Sequence, residues 1–320
     1  MRSTLRITGL ALLLCSAGLH AFDVQGHRGA RGHAPENTLA AFERAIAQGV
    51  TTIEADLGIS RDDVPVIAHD RLLNPALTRD GRGRWLSAPG PAIRALTLDE
   101  LKSYDVGRVD PSSAYGRQWS SQTPADGARI PALSELFALV RSSGKPVRFN
   151  LETKLSPFAP GETVDPATFA RLVVQAVEAA DMVERTTIQS FDWRTLQEVK
   201  RLNPQLRTAC LTQEGGSNDT VRADASGRSP WHAGLSLAEA GGSLPALVRN
   251  AGCDIWSPFW RNATQERIRQ ARTLGLAVIP WTVNEPADMQ AMIDAGVDGL
   301  ITDYPDRARA LLTRSSILNR

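Results

Sequence analysis

Cysteine is scarce. Cys15, Cys210 and Cys253 are the only three in 320 residues, and none has a second Cys or a His at ligand spacing, which argues against a structural zinc site. Net charge is nearly absent too, with 36 Lys and Arg against 35 Asp and Glu. That balance gives no electrostatic case for nucleic acid or a membrane surface as partner. No stretch approaches the ~18 consecutive apolar residues of a membrane-spanning helix, so stable membrane insertion is not expected. Internal repeats and low-complexity tracts are missing as well.

The start of the chain is different in character. In "MRSTLRITGLALLLCSAGLHA", Arg2 and Arg6 precede a short apolar run that ends in small residues near Ala21. This is the pattern of a secretory signal peptide over residues 1–21, and it predicts a mature chain from Phe22 that is periplasmic or secreted. The run is too short for a comfortable anchor. Cys15 follows three leucines without the small residue that lipid attachment wants. Removing Arg2 and Arg6 leaves 34 basic against 35 acidic residues, so the formal charge moves from +1 to −1. In an oxidising compartment Cys210 and Cys253 are free to form a disulfide, with two buried thiols as the alternative.

From Phe22 onward, short β-branched runs alternate with amphipathic segments, the βαβα signature of a parallel sheet covered by helices. Strands are expected at "FDVQGH", "TTIEAD", "PVRFNLE", "TTIQSF", "LRTACLT", "DIWSP", "LAVIPWT" and "DGLITD". Helices are expected at "TLAAFERAIAQG", with Asn37 or Thr38 as N-cap, Gly49 as stop and Leu39, Phe42 and Ile46 buried, and at five later segments. Those are "DPATFARLVVQAVEAA", "DWRTLQEVKRL", "TQERIRQARTLG", "EPADMQAMIDAG" and "PDRARALLT". Eight units of this kind predict an α/β fold, a (β/α)8 TIM barrel whose interior is filled by branched apolar side chains. One catalytic domain over residues 22–320 is expected, with an insertion at about 71–128 after the second strand. "VPVIAHD" should pair back on "IEADLGIS" as a hairpin before that insertion. A second polar loop spans residues 212–234.

In such a barrel, catalytic groups project from the C-terminal strand ends. Here His27, Glu54, Asp56, Glu152, Lys154, Trp281 and Asp303 fall at those ends. Glu54 and Asp56 are two apart in a strand and point to one face, where like charges repel unless a cation joins them. With Glu152 they form a hard-oxygen set suited to one divalent cation, Ca2+ or Mg2+. His27 and His69 can serve as base and acid near neutral pH. Arg28 offers a planar fork for an anionic oxygen pair. With a divalent cation, these carboxylates, Arg28 and Lys154 leave a net positive site, as suits negative charge building up at phosphorus.

"GHRGARGHAPENT", "IEADLGISRDDVPVIAHD", "RIPALSEL", "NLETK", "QSFD", "PWTVN" and "DGLITDYP" resemble the glycerophosphodiester phosphodiesterase family, in its usual order, over nearly the whole chain after the signal peptide. The resemblance implies metal-dependent hydrolysis of glycerophosphodiesters to sn-glycerol 3-phosphate and an alcohol such as choline or ethanolamine. It implies His27 and His69 as the acid/base pair, Glu54, Asp56 and Glu152 as metal ligands, Arg28 and Lys154 on the phosphate, and Phe191 and Trp281 lining the cleft. Glu36 and Asn37 belong to the same motif and would organise the first loop. His33, Trp231, Trp256, Phe259 and Trp260 read first as loop packing, and Asp303 as support for Trp281 or the rim. Two other readings stand beside it: a phosphodiesterase directed at lysophospholipids or lipid headgroups, and a phosphodiester-binding protein without catalysis.

Overall fold

The computed structural model describes residues 22–318; the signal peptide expected at residues 1–21 lies outside the described residues. Among the described residues nine strands occur: β1 (Asp23–Gly26), β2 (Thr52–Ile59), β3 (Pro65–Ile67), β4 (Arg148–Thr153), β5 (Thr186–Ser190), β6 (Arg207–Thr212), β7 (Ile255–Pro258), β8 (Ala277–Val278) and β9 (Gly299–Thr302). All but β3 are parallel neighbours in the order β8-β7-β6-β5-β4-β2-β1-β9. Individual backbone bonds close the circle: Asp298 N donates to Val278 O at 2.9 Å, Ile301 N to Pro280 O at 2.9 Å, and Val283 N to Ile301 O at 3.0 Å. The chain is therefore a TIM barrel. β8 is shorter than the run "LAVIPWT" suggests, because Pro280 has no N–H for a ladder.

The helices are α1 (Leu39–Ala47), α2 (Leu98–Leu101), α3 (Ala114–Gln118), α4 (Leu133–Ser142), α5 (Pro166–Ala179), α6 (Trp193–Leu202), α7 (Leu244–Asn250), α8 (Gln265–Thr273), α9 (Pro286–Asp294) and α10 (Pro305–Leu318). α4 and α7 complete the ring and were not among the helices expected. In α1, Thr38 is the N-cap and its hydroxyl accepts from Ala41 N. Phe42 and Ile46 are buried there, whereas Leu39 is only half-buried. The largest buried side chains, among them Trp193, Phe42, Phe137, Phe149 and Phe169, form the core cluster, a stack of apolar area whose removal from water drives the assembly.

The lumen departs from the branched apolar filling expected. Gln25, Asn150 and Gln189 are buried and hydrogen-bonded in series: Asn150 Nδ2 donates to Gln25 Oε1 at 2.7 Å and to Gln189 Oε1 at 2.9 Å. The chain of amides continues upward, Gln189 Nε2 donating to Glu54 Oε1 at 2.8 Å. Buried polar groups are tolerable only when so paired.

β2 continues past the barrel to Ile59 because Leu57, Gly58 and Ile59 pair antiparallel with Ile67, Val66 and Pro65, the hairpin expected. The excursion that follows carries a small cluster of Val66, Leu73, Ile93, Leu101 and Ile130. It also ties down the loop after β1: Gln122 Nε2 donates to Arg31 O at 2.6 Å and Thr123 N to His33 O at 2.8 Å. On the opposite side, Cys210 and Cys253 are joined as a disulfide with their Cα atoms 6.0 Å apart. Closing 43 residues in this way removes about 4 kcal/mol of unfolded-chain entropy in the loop-closure picture.

The polar loop after β6 folds back on α6. Trp193 N donates to Trp231 O at 2.9 Å, and the Trp193 and His232 rings stack with centroids 4.1 Å apart. His232 is 1% exposed; burial, against the pull of Asp219, pushes its imidazole down to about 4. The unfolded chain takes up this proton below ~6.5 while the folded chain resists until about 4, so the stability it carries is full at neutral pH and falls as the solution is acidified through that window. Urea unfolding at pH 7 and pH 5 should show His232→Phe losing less stability on acidification than the parent, by up to about 1.4 kcal/mol per pH unit. Equal losses in both proteins would remove His232 from the acid response.

Candidate active site

The site rests on the tight turn after β1. Gly26 and Gly29 are required there by space: a Cβ on Gly26 would lie 2.3 Å from Gly29 O, and one on Gly29 would lie 2.6 Å from the backbone of Ala41. Between them Arg28 takes a positive φ of 49°, which turns its N–H onto Glu54 Oε2 at 2.8 Å. The same motif supplies two holders. Glu36 Oε1 lies 2.5 Å from Arg28 Nη1, and Asn37 Nδ2 donates to Asp56 Oδ2 at 2.9 Å. Tyr115, from the excursion, donates its hydroxyl to Glu36.

The expected residues converge. His27, Arg28, Glu54, His69, Glu152, Lys154, Phe191 and Trp281 line one cavity of about 180 Å3. Arg31 and Gln189 line it as well and were not singled out from sequence. Glu54 and Asp56 lie inside β2 rather than at its end, since the hairpin prolongs that strand, and Asp56 sits level with Glu152 on β4. Trp281 lies beyond β8, its indole N–H held by Ser257 O at 3.0 Å.

Electrostatics divides the carboxylates. Burial, then Asp56 and Glu152, drive Glu54 well above the ordinary range. Burial also works to raise Asp56, but Arg28 and Lys154 outweigh it and keep that carboxylate ionised. Glu152 is pushed up to about 7, by burial and Asp56 against the opposing pull of Lys154, whose Nζ is 2.7 Å from its Oε1. Three carboxylates so crowded cannot all ionise without more positive charge. Oxygen atoms of Glu54, Asp56 and Glu152 lie within 4.8 Å of one another, and buried Asp56 Oδ1 has no hydrogen-bond partner. An orphaned acceptor in an all-oxygen set is what a hard divalent cation would satisfy.

Both histidines carry a carboxylate on Nδ1. Asp303 Oδ1 accepts from His27 at 2.7 Å, and Asp70 Oδ1 from His69 at 2.8 Å. With the proton on Nδ1, each ring is left with Nε2 for proton transfer. Asp303 also takes two bonds from Arg31, at 2.7 and 3.1 Å, and one from Asn284 at 2.6 Å. It therefore supports His27 rather than Trp281. Burial and Arg31 push His27 down to about 4 against Asp303, so this ring is neutral near pH 7. Burial, then Arg28 and Lys154, lowers His69 too. Asp70 could have been noticed as the neighbour of His69; the pairing of Asp303 with His27, 276 residues away, depends on β1 lying beside β9.

A barrel that gathers two carboxylate-paired histidines, the cations Arg28 and Lys154 and a buried carboxylate triad in one place is suited to binding an anionic ester. The sequence model of the glycerophosphoryl diester phosphodiesterase family matches residues 27–307. The chain belongs to that family and is a glycerophosphodiester phosphodiesterase by class. It is 30% identical over 285 residues to the glycerophosphodiester phosphodiesterase of Caldanaerobacter subterraneus subsp. tengcongensis, covering 88% of this chain and 94% of that one. A Bacillus subtilis glycerophosphodiester phosphodiesterase is 28% identical, over 88% of this chain and 83% of its own. Among solved structures, a Silicibacter pomeroyi protein assigned as a glycerophosphoryl diester phosphodiesterase superposes with TM-score 0.81 at 36% identity, covering 92% of this chain and 95% of that one. An Oleispira antarctica phosphodiesterase, solved with the product sn-glycerol-3-phosphate, shares the fold with TM-score 0.65 at 22% identity, covering 91% and 96%.

Asp303 is fully buried and is the nearer countercharge of Arg31, at 2.7 Å against 3.9 Å for Glu36. Asp303→Asn should lower unfolding stability by about 3–5 kcal/mol, the usual penalty for stranding one member of a buried pair. The Arg31→Met, Asp303→Asn double variant should recover part of that loss in a urea-denaturation cycle. Strictly additive losses would mean that the pair does not couple.

Proposed function

We propose that this protein hydrolyses deacylated phospholipids such as glycerophosphocholine and glycerophosphoethanolamine to sn-glycerol 3-phosphate and an alcohol, using His27 and His69 as proton-transfer groups. The observation that carries this reading is the pair of imidazoles, each oriented by a carboxylate on Nδ1, on the same cavity as Arg28 and Lys154.

In this reading the phosphate anion lies against Arg28 and Lys154. Glu36 and Asp56 hold the Arg28 guanidinium in place, so it is oriented before substrate arrives. One imidazole Nε2 withdraws the proton of the attacking hydroxyl. The other, carrying a second proton on Nε2 once the phosphate anion offsets Arg28 and Lys154, delivers it to the departing alkoxide. A P–O bond forms to the attacking oxygen as the P–O bond to the alcohol breaks. The proton taken by the first ring returns to the second through solvent, and over the cycle one water is consumed for each alcohol released. Asp303 and Asp70 stabilise whichever ring is charged at each stage. Phe191 and Trp281 narrow the cavity on its apolar side. Glu54, Asp56 and Glu152 would hold Ca2+ or Mg2+, which when bound polarises the phosphoryl oxygens and offsets their charge. The N-terminal residues 1–21 are proposed to direct export to a periplasmic or extracellular space where the disulfide persists.

Release of glycerol 3-phosphate from glycerophosphocholine should be abolished by a chelator and restored by Ca2+ or Mg2+. His27→Ala and His69→Ala should each lose about 10^2- to 10^4-fold in kcat while keeping the parental circular dichroism. Turnover at the parental rate in either variant would remove that histidine from the chemistry. Release from lysophospholipids alone would move the substrate class to intact lipids.

A further inference from the structure

Four aromatic rings form a continuous wall that begins in the catalytic cavity and ends in solvent. Phe191 and Trp281 line the cavity, with ring centroids 5.4 Å apart and planes at 84°. Trp231, on the loop after β6, meets Phe191 at 6.3 Å and 71°. Phe158, on the loop between β4 and α5, meets Trp231 at 5.8 Å and 69°. Phe158 is 70% exposed, the only large hydrophobic side chain so open among the described residues. An apolar ring held in water at the rim of a site is informative in a way that a buried one is not.

The geometry and charge of this wall select a ligand. Successive planes stand close to perpendicular, so adjacent rings make corners that present π faces to one compact volume from two directions. A sugar stacks on one broad face, and an alkyl chain needs a long groove; a compact cation is served by a corner. The acids on the flanking segments are already engaged. Glu162 is bound by Arg71 at 2.6 Å, Asp192 by Arg194 at 2.5 Å, Glu214 by Arg267 and Glu239 by Arg228 at 2.5 Å, while Asp165, Asp219 and Asp224 accept from nearby backbone N–H groups. Rings without a free carboxylate suit a cation that makes no hydrogen bonds, whereas a primary ammonium would lose its water without a replacement acceptor.

We propose that Phe158 and Trp231, together with the cavity face of Phe191, form a subsite for a quaternary ammonium group on the alcohol portion of the diester. Choline diesters are then the favoured substrates of this chain. The inference rests on the phosphodiesterase reading above: with phosphate anchored at Arg28 and Lys154, the alcohol portion extends from the cavity along the wall that Phe191 begins.

The test compares kcat/KM for glycerophosphocholine with that for uncharged-headgroup glycerophosphoglycerol in the parent, Phe158→Ala, Trp231→Leu and Trp231→Phe. The parent should favour the choline substrate. That preference should fall roughly 2- to 5-fold in Phe158→Ala and about 10-fold in Trp231→Leu, and be largely kept in Trp231→Phe, which restores a ring. Tetramethylammonium, with ammonium at equal ionic strength as control, should inhibit the parent competitively and Trp231→Leu weakly. An unchanged preference across all variants, or inhibition no greater than that by ammonium, overturns the subsite while leaving the phosphodiesterase reading intact. Should no glycerophosphodiester be turned over, that reading fails. The subsite is then judged by the upfield shift of the tetramethylammonium methyl resonance, which Trp231→Leu must abolish for the rings to be its binding place.

Discussion

Three carboxylates buried within reach of one another constrain everything around them. Glu54 and Asp56 share a face of β2, and Glu152 stands level with Asp56 on β4, so the register of two strands creates the crowding. Water cannot relieve it, and the protein does so with placed partners. Lys154 lies against Glu152 and Asp56, Arg28 against Asp56, Asn37 against Asp56, and Gln189 against Glu54. The tight turn at Gly26 to Gly29, with its strained Arg28, exists to bring a guanidinium and a backbone N–H to the same spot. Asp56 Oδ1, 3.6 Å from Lys154 Nζ and without a hydrogen-bond partner, is the carboxylate oxygen left open toward a further positive charge.

The parts of this arrangement visible in the sequence are those written locally. Alternation within "TTIEAD" and "NLET" puts Glu54, Asp56 and Glu152 on strands with their side chains directed together, and the hairpin from Leu57 to Ile67 follows from the turn between its arms. The eight parallel strands were legible from β-branched runs spaced by helical segments. What escaped reading depends on closure of the barrel: Asp303 meets His27 only because the last strand returns to the first. The sequence left Cys210 and Cys253 as a disulfide or two thiols, and the pairing of β6 with β7 decides for the disulfide. The polar lumen was missed for a related reason: Gln25, Asn150 and Gln189 look unfavourable one at a time and become acceptable only as a hydrogen-bonded series. Pro280 shortened β8 by removing a single donor.

The division of labour between strands and loops is also clear. Carboxylates and the amide series that steadies them sit on strands, where backbone ladders fix position to a fraction of an ångström. His27 and Asp303 come directly after β1 and β9, and His69 and Asp70 follow the hairpin arm β3. The aromatic wall is carried by loops, whose attachments are fewer and whose composition is freer. The reacting centre is rigid for a physical reason, since any displacement of a buried charge from its partner is expensive.

The disulfide between Cys210 and Cys253 therefore does more than stiffen the barrel. It brackets the whole excursion that carries Trp231, so both ends of that segment are pinned whatever lies between them. Lengthening such a loop changes its closure entropy only logarithmically. The segment can be exchanged like a cassette: descendants of this chain could trade one loop for another and acquire a new choice of alcohol without disturbing the strands that do the chemistry. Covalent bracketing thus separates the rate at which specificity can evolve from the rate at which catalysis can be lost.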